Sequence, residues 1–348
     1  MKKELNKRYL IPAAICLILL AGIGYYYFFT SFTGKSETSY VYIDDNDNYD
    51  SLITKLRPMA NTHSFHAFCV LARHSNLIKR VHTGRYAIAP STGAFVLFRH
   101  IKGGIQTPVN LTVPSVRTMQ DMAQALSTKL MLDSATLAKT FTDPTLCRKY
   151  GYDTTTIAAL FIPNTYDVYW NVSPEALMER MKKENGKFWD DDRKAKAQQL
   201  KLTPVQVATL ASIVDEETAN DGEKPMIAGM YYNRLMLRDA EYPQGMPLQA
   251  DPTIKFAWKQ FALKRIYNNL LHINSPYNTY RFPGLPPGPI RVPSIAGIDA
   301  VLNMVHHNYL YMCAKEDFSG THNFAVTYEE HMANARRYAA ALNQRGIK

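Results

Sequence analysis

The chain is poor in cysteine, with four among 348 residues. Cys16 lies in a long apolar run, which leaves Cys69, Cys147 and Cys313, an odd number. A complete disulfide framework is therefore excluded, and the sequence does not choose the pair for a single bridge. There is no CxxC motif, and the ten histidines are scattered. His306-His307 reads as an exposed helical pair rather than part of a metal site, so neither a metal nor any other cofactor is implied. Acids are scarce beside bases: 30 Asp and Glu stand against 40 Lys and Arg, a formal net charge of +10. The bases do not form the clustered patch of a nucleic-acid binder. The excess suits a membrane surface or an acidic polymer. Internal repeats are also missing. An apolar content of 46% and a charged content of 20% are globular values, and the length allows about two domains.

Only one hydrophobic run is long. Leu10–Thr30 carries no charge over 21 residues and ends in the aromatic group Tyr25, Tyr26, Tyr27, Phe28 and Phe29. That length spans the ~30 Å hydrocarbon layer, and aromatic side chains favour its interface. The run exceeds a signal-peptide core and lacks a small-residue cleavage site, so an uncleaved anchor is expected. Residues 1–9 carry Lys2, Lys3, Lys7 and Arg8 against Glu4, a net +3 that leaves +7 for the rest. The positive-inside rule places this tail in the cytoplasm and everything after Thr30 outside.

Beyond the anchor, Ser31–Ser39 reads as a polar linker. Tyr40–Ile43 and Arg85–Ala89 read as strands, Ser51–Met59 and Ala94–Lys102 as helices, and Thr107–Val113 as an alternating strand. Helices are expected over Arg117–Lys129, Ser134–Phe141, Ser173–Asn185 and Asp190–Leu200. The apolar run Ala158–Ile162 before Pro163 looks strand-like. The charge-rich Ser173–Asn185 helix suggests an exposed connector.

The most informative segment is LASIVDEETA, Leu210–Ala219. Thr203 is a good N-cap and Pro204 suits the first helical position. Val207, Leu210, Val214 and Glu217 then share one helical face. Glu217 continues an apolar stripe, Glu216 points roughly the opposite way, and Asp215 lies over Ala208 and Ala211. Of the three acids, only Glu217 is expected at the edge of a core. Desolvation there raises a carboxyl pKa, the condition a general acid needs near neutral pH. Further on, SPYNTYRFPGLPPGPI (Ser275–Ile290) reads as a rigid loop of turn residues, aromatics and amides. Aromatic faces and amide side chains together suit sugar rings and hydroxyls.

ASIVDEETA, YYNRL, LQADPTI, SPYNTY, GLPPGPI and HNFAVTYEEH, in this order and approximate spacing, resemble the endolytic murein transglycosylases, the MltG or YceG-like family. FIPNTY at Phe161–Tyr166 is similar to that family's FPDTY-like segment. GRYAIAPSTGAFVLFRHIKGG resembles its small LysM-like subdomain. The resemblance covers essentially everything after the anchor. It implies an α+β fold with a LysM-like unit over residues 40–107 and a catalytic domain over residues 108–348. It also implies a membrane-anchored enzyme that cuts the MurNAc-β-1,4-GlcNAc bond within peptidoglycan strands and leaves a 1,6-anhydro end, beside membrane-bound synthases. Matching the motif assigns the essential glutamate to Glu217. Because the muramic 6-hydroxyl is an intramolecular nucleophile, one residue can serve as both acid and base. Gln249, Asp251, Asn278 and Tyr280 are expected to orient the sugars. A hydrolytic muramidase with Asp251 as second acid and a non-catalytic wall-binding scaffold are the alternatives.

Overall fold

The computed structural model describes residues 7–263 and 265–346. Residues 1–6, most of the expected cytoplasmic tail, lie outside them. The chain is a mixture of helices and short two-stranded sheets, and it divides into two compact units. One holds the chain up to Leu111 with Lys129–Leu132 and Tyr166–Ser173. The other holds Thr112–Thr128, Asp133–Thr165 and the chain from Pro174 onward.

The first unit begins with α1 (Lys7–Phe28), whose segment Tyr9–Phe28 has a mean hydropathy of 1.9 and faces outward. By length and composition, this helix is able to cross a membrane. After it come β1 (Ser39–Ile43), α2 (Tyr49–Leu56), α3 (Thr62–Arg73), β2 (Gly84–Ile88) and α4 (Ala94–Gly103). β1 and β2 pair antiparallel, with Val41 opposite Tyr86. Their alternate side chains Val41, Ile43, Tyr86 and Ile88 form one wall of the core. The end of α1 is held within this unit: Tyr26 stacks on His63 at 4.2 Å, and Phe29 meets Phe95 at 5.6 Å.

The segment expected as a linker is anchored instead. Phe32 is fully buried, its ring edge-on to Phe68, and its backbone N–H donates to Thr92 O at 2.7 Å. A single large aromatic in a polar stretch is enough to pull that stretch onto the core.

Continuing along the chain are β3 (Val109–Val113), α5 (Met119–Ser127), α6 (Ser134–Thr142), α7 (Pro144–Lys149), β4 (Asn164–Val168), α8 (Pro174–Phe188) and α9 (Asp191–Gln199). β3 and β4 form the second two-stranded sheet. The run read as strand-like, Ala158–Ile162, is a buried 3-10 turn over Ile157–Leu160, and the strand starts only at Asn164. The buried Asn185 amide donates to Ala159 O at 2.9 Å and Leu160 O at 3.1 Å, so these carbonyls need no strand neighbour. That contact also ties down α8, expected as an exposed connector. Leu177, Met178, Met181 and Asn185 are buried along one side of it.

The remaining helices are α10 (Pro204–Glu217), α11 (Lys224–Met236), α12 (Asp251–Trp258), α13 (Ile295–Leu302) and α14 (Tyr328–Gln344). The last sheet, β5 (Tyr311–Ala314) and β6 (His322–Ala325), is antiparallel. α10 opens with a capping box between Thr203 and Gln206 and with Pro204 in the first turn. It packs against α11, α12 and α13. Every residue from Val207 to Val214 is buried, so α10 is enclosed on all sides rather than along one stripe. The buried Ser212 hydroxyl donates to Thr209 O and accepts the N–H of Ile290 at 3.0 Å, pinning the end of the proline-rich loop to this helix. Gly288 passes so close to the carbonyl of Thr155 that no side chain fits there.

Truncating Leu210, fully buried in α10, is expected to cost about 2–5 kcal/mol. The Leu210→Ala protein should show a lower urea midpoint with an unchanged m-value. An undiminished midpoint would mean that α10 is not the packed centre of this unit.

Candidate active site

The end of α10 carries three consecutive acids, and each has a different environment. Asp215 accepts from the Ser294 backbone N–H at 2.6 Å and the Ser294 hydroxyl at 2.7 Å, and pairs with Lys224 Nζ at 2.7 Å. Ser294 is the N-cap of α13, so Asp215 joins two helices. Gly297 lies against the Asp215 carboxylate, where a Cβ would come within 2.6 Å. Glu216 is bound bidentately by Arg117, both contacts at 2.8 Å, and by Arg291 Nη1 at 3.0 Å. The side chains of Asp215 and Glu216 are only 3% and 9% exposed. The expectation that Glu217 alone sits at the core edge is therefore corrected: all three acids are largely enclosed, because nearby cations and donors compensate the first two.

Among the described residues, Glu217 has no such cation in contact. Its Oε1 accepts from the buried Tyr231 hydroxyl at 2.6 Å. The residue keeps some exposure because it lines a cleft, while protein atoms crowd the carboxyl from behind. Desolvation pushes its pKa from 4.5 up to about 7. The Tyr231 hydrogen bond and the charge of Lys255 act against the rise, while the charges of Asp251 and Glu216 add to it. Burial, with the adjacent carboxyl, also holds the Tyr231 phenol well above its ordinary range.

The cleft has a volume of about 270 Å³. Glu217, Gln249, Asp251 and Tyr280 all line it. Tyr280 donates its hydroxyl to Asp251 Oδ1 at 2.5 Å, and burial and that bond raise its pKa. Asp251 is the first residue of α12, where a carboxylate complements the helix dipole. Gln249 has a left-handed backbone (φ 52°), and its N–H donates to Thr279 O.

Asn278 departs from expectation. It is fully buried and is not among the cleft residues; its amide donates to Leu271 O and Ile273 O, and its Oδ1 accepts from the Tyr280 N–H at 3.0 Å. With these partners it orders the loop that presents Tyr280, and a sugar cannot reach it.

Tyr231, Arg234 and His331 also line the cleft and were not singled out in the sequence. Arg234 is buried; it donates to Leu310 O, Pro247 O, Leu248 O and Gln249 Oε1, at 2.5–3.2 Å, and its guanidinium lies 5.1 Å from the centroid of the Tyr311 ring. Burial lowers its pKa, and its positive field in turn helps burial depress the His331 pKa. The signal lay in YYNRL: Tyr231 and Arg234 stand three apart, on one face of α11. His307 is structural, accepting the Tyr309 N–H and contacting Met226 O. Among the described residues no cluster of three potential metal-binding side chains occurs, and all four cysteines are free.

The arrangement is that of a mixed helix-and-strand protein with a polar cleft in which burial raises the pKa of one carboxyl, Glu217, to about 7. The chain belongs to the YceG-like family, which it matches over residues 41–337. An endolytic murein transglycosylase of Bacillus subtilis is 31% identical over 175 residues, half of this chain and 46% of that protein. One from Streptococcus pneumoniae strain R6 is 26% identical over 372 aligned positions, 95% of this chain and 65% of that protein. The chain thus spans less than two thirds of either relative's length. The crystal structure of a yceG-like protein from Listeria monocytogenes superposes with a TM-score of 0.53 at 25% identity, covering 86% of this chain and 99% of that one.

A carboxyl whose pKa is raised on folding stabilises the native state least once it must ionise. The native protein holds the proton that the unfolded chain releases near pH 4.5, so stability falls as pH rises from there through about 7. Glu217→Gln removes that loss. Its advantage over the parent should be small at pH 4, grow to at most roughly 3 kcal/mol and level off above pH 7. A difference in melting temperature that does not change between pH 4 and pH 8 would show an ordinary, solvated glutamate.

Proposed function

We propose that this protein is a membrane-anchored endolytic lytic transglycosylase acting on peptidoglycan. The observation that carries the reading is Glu217: a cleft carboxyl with a pKa near 7, oriented by one phenol and, among the described residues, in contact with no cation. Its protonated form donates to the oxygen of the MurNAc-β-1,4-GlcNAc bond, and the C1–O bond breaks. The muramic 6-hydroxyl attacks C1, its proton passes to the Glu217 carboxylate, and a 1,6-anhydro end forms. No water is consumed and the residue returns protonated. Family membership and the names of the relatives support the substrate class.

Gln249, Asp251 and Tyr280 bind and orient the sugars, while Asn278 acts through Tyr280. Tyr231 holds one oxygen of Glu217 so that the other faces the cleft. α1 anchors the protein in the cytoplasmic membrane with the enzyme domain outside, positioned to end nascent glycans beside membrane-bound synthases. The antiparallel β1–β2 pair flanking α2 and α3 supports a LysM-like unit over residues 40–107, preceding the catalytic domain over residues 108–348.

Mass spectrometry of the products of purified glycan strands tests the chemistry. The parent should release anhydro ends, with kcat/KM falling as pH rises through about 7. Glu217→Gln should be folded and lack product, a loss of at least about 10³-fold. Reducing ends, heavier by one water, would instead indicate hydrolysis with Asp251 as second acid. Retained turnover in Glu217→Gln would remove the assignment altogether.

A further inference from the structure

A second cavity, about 480 Å³, is not used by the chemistry described above. Phe256 and Tyr277 form an aromatic wall, their centroids 4.7 Å apart. Gln120 and Thr154 supply polar groups, and Arg117 and Lys259 supply cations. The charged groups at its edges are largely spoken for. Glu216 binds Arg117 and Arg291, and Asp153 Oδ1 accepts from Thr155 and Thr156. Lys259 differs. Its ammonium rests over the Phe256 ring, 3.5 Å from the centroid, and only desolvation shifts its pKa, downward. Among the described residues no carboxylate neutralises it.

α12 connects this cavity to the catalytic cleft. Asp251 lines the cleft, Phe256 and Lys259 line the second cavity, and Lys255 lies between them, close enough for its charge to act on Glu217. Asp251 and Lys255 stand four apart on one side of α12, and Lys259 caps the end of that helix. Eight residues at 1.5 Å each separate the two ends by about 12 Å. An extended peptide of three to four residues covers the same ~12 Å. The path is positively charged, carries an aromatic wall for apolar side chains and has polar groups for amides.

We propose that this cavity binds the carboxylate-bearing peptide stem of the muramic acid held in the cleft, with Lys259 pairing with a stem carboxylate. The inference rests on the transglycosylase reading of the cleft. It makes the enzyme selective for peptide-bearing strands, with Lys259 a specificity-determining residue that does not touch the reacting atoms.

The test compares cleavage of peptide-bearing glycan strands with that of strands stripped of peptides by an amidase, using the full-length protein in detergent micelles. Lys259 has a left-handed backbone (φ 55°), which glycine adopts without strain, so Lys259→Gly removes the ammonium while sparing the fold. The parent should favour peptide-bearing strands by about tenfold or more in kcat/KM, chiefly through KM. In Lys259→Gly that ratio should fall towards one, and Lys259→Glu should invert or abolish it. Equal parent rates on both substrates, or a Lys259→Gly loss that is the same on both, would overturn the stem-binding proposal and leave the catalytic reading intact. Failure of the parent to cleave either strand would instead remove the transglycosylase reading, and this proposal with it.

Discussion

The structure depends on how the C-terminal end of α10 tolerates three acids in a row. That end carries the negative pole of the helix dipole, so carboxylates there are unfavourable unless compensated. Asp215 is compensated by Lys224 and the N-cap of α13, and Glu216 by the forked guanidinium of Arg117 together with Arg291. Glu217 receives a phenol and, among the described residues, no cation contact. The helix end, the neighbouring carboxylates and burial all then favour its neutral form, and the proton is kept where the cleft opens. The first two acids tie the helix end to neighbouring elements; the third lines the cleft.

The same logic explains the second layer around the site. Arg234 is a buried guanidinium that donates to carbonyl-type oxygens and lies over the Tyr311 ring; among the described residues no carboxylate pairs with it. Nearby, Asp251 takes the Tyr280 hydroxyl and stands at the start of α12. Two carboxyls in one cleft are thus placed in unlike surroundings, one hidden behind a phenol and one hydrogen-bonded at a helix start.

Much of the local structure was legible because it is written in short-range chemistry. Thr203-Pro204, the strands around Val41 and Tyr86, and the break after α4 follow from caps, alternation and glycine, and they appear within a residue or two of the expected bounds. What was not legible depends on partners far along the chain. The burial of Asp215 and Glu216 needs Lys224, Ser294, Arg117 and Arg291, some of them nearly a hundred residues away. Phe32 looked like one aromatic in a linker until Phe68 provided a place for it. Ala158–Ile162 carried a strand-like pattern, but the carbonyls of Ala159 and Leu160 went to Asn185. Asn278 was grouped with the cleft residues because amides suit sugars; its neighbours' carbonyls claimed the amide first.

Arg234 has one more consequence. Its guanidinium holds the backbone of Pro247 and Leu248 on one side and of Leu310 on the other, so two chain segments of the cleft share a single internal clasp. The spacing between these two walls of the cleft is thus set from inside the protein by one buried side chain, independently of whatever projects from the walls into the cleft.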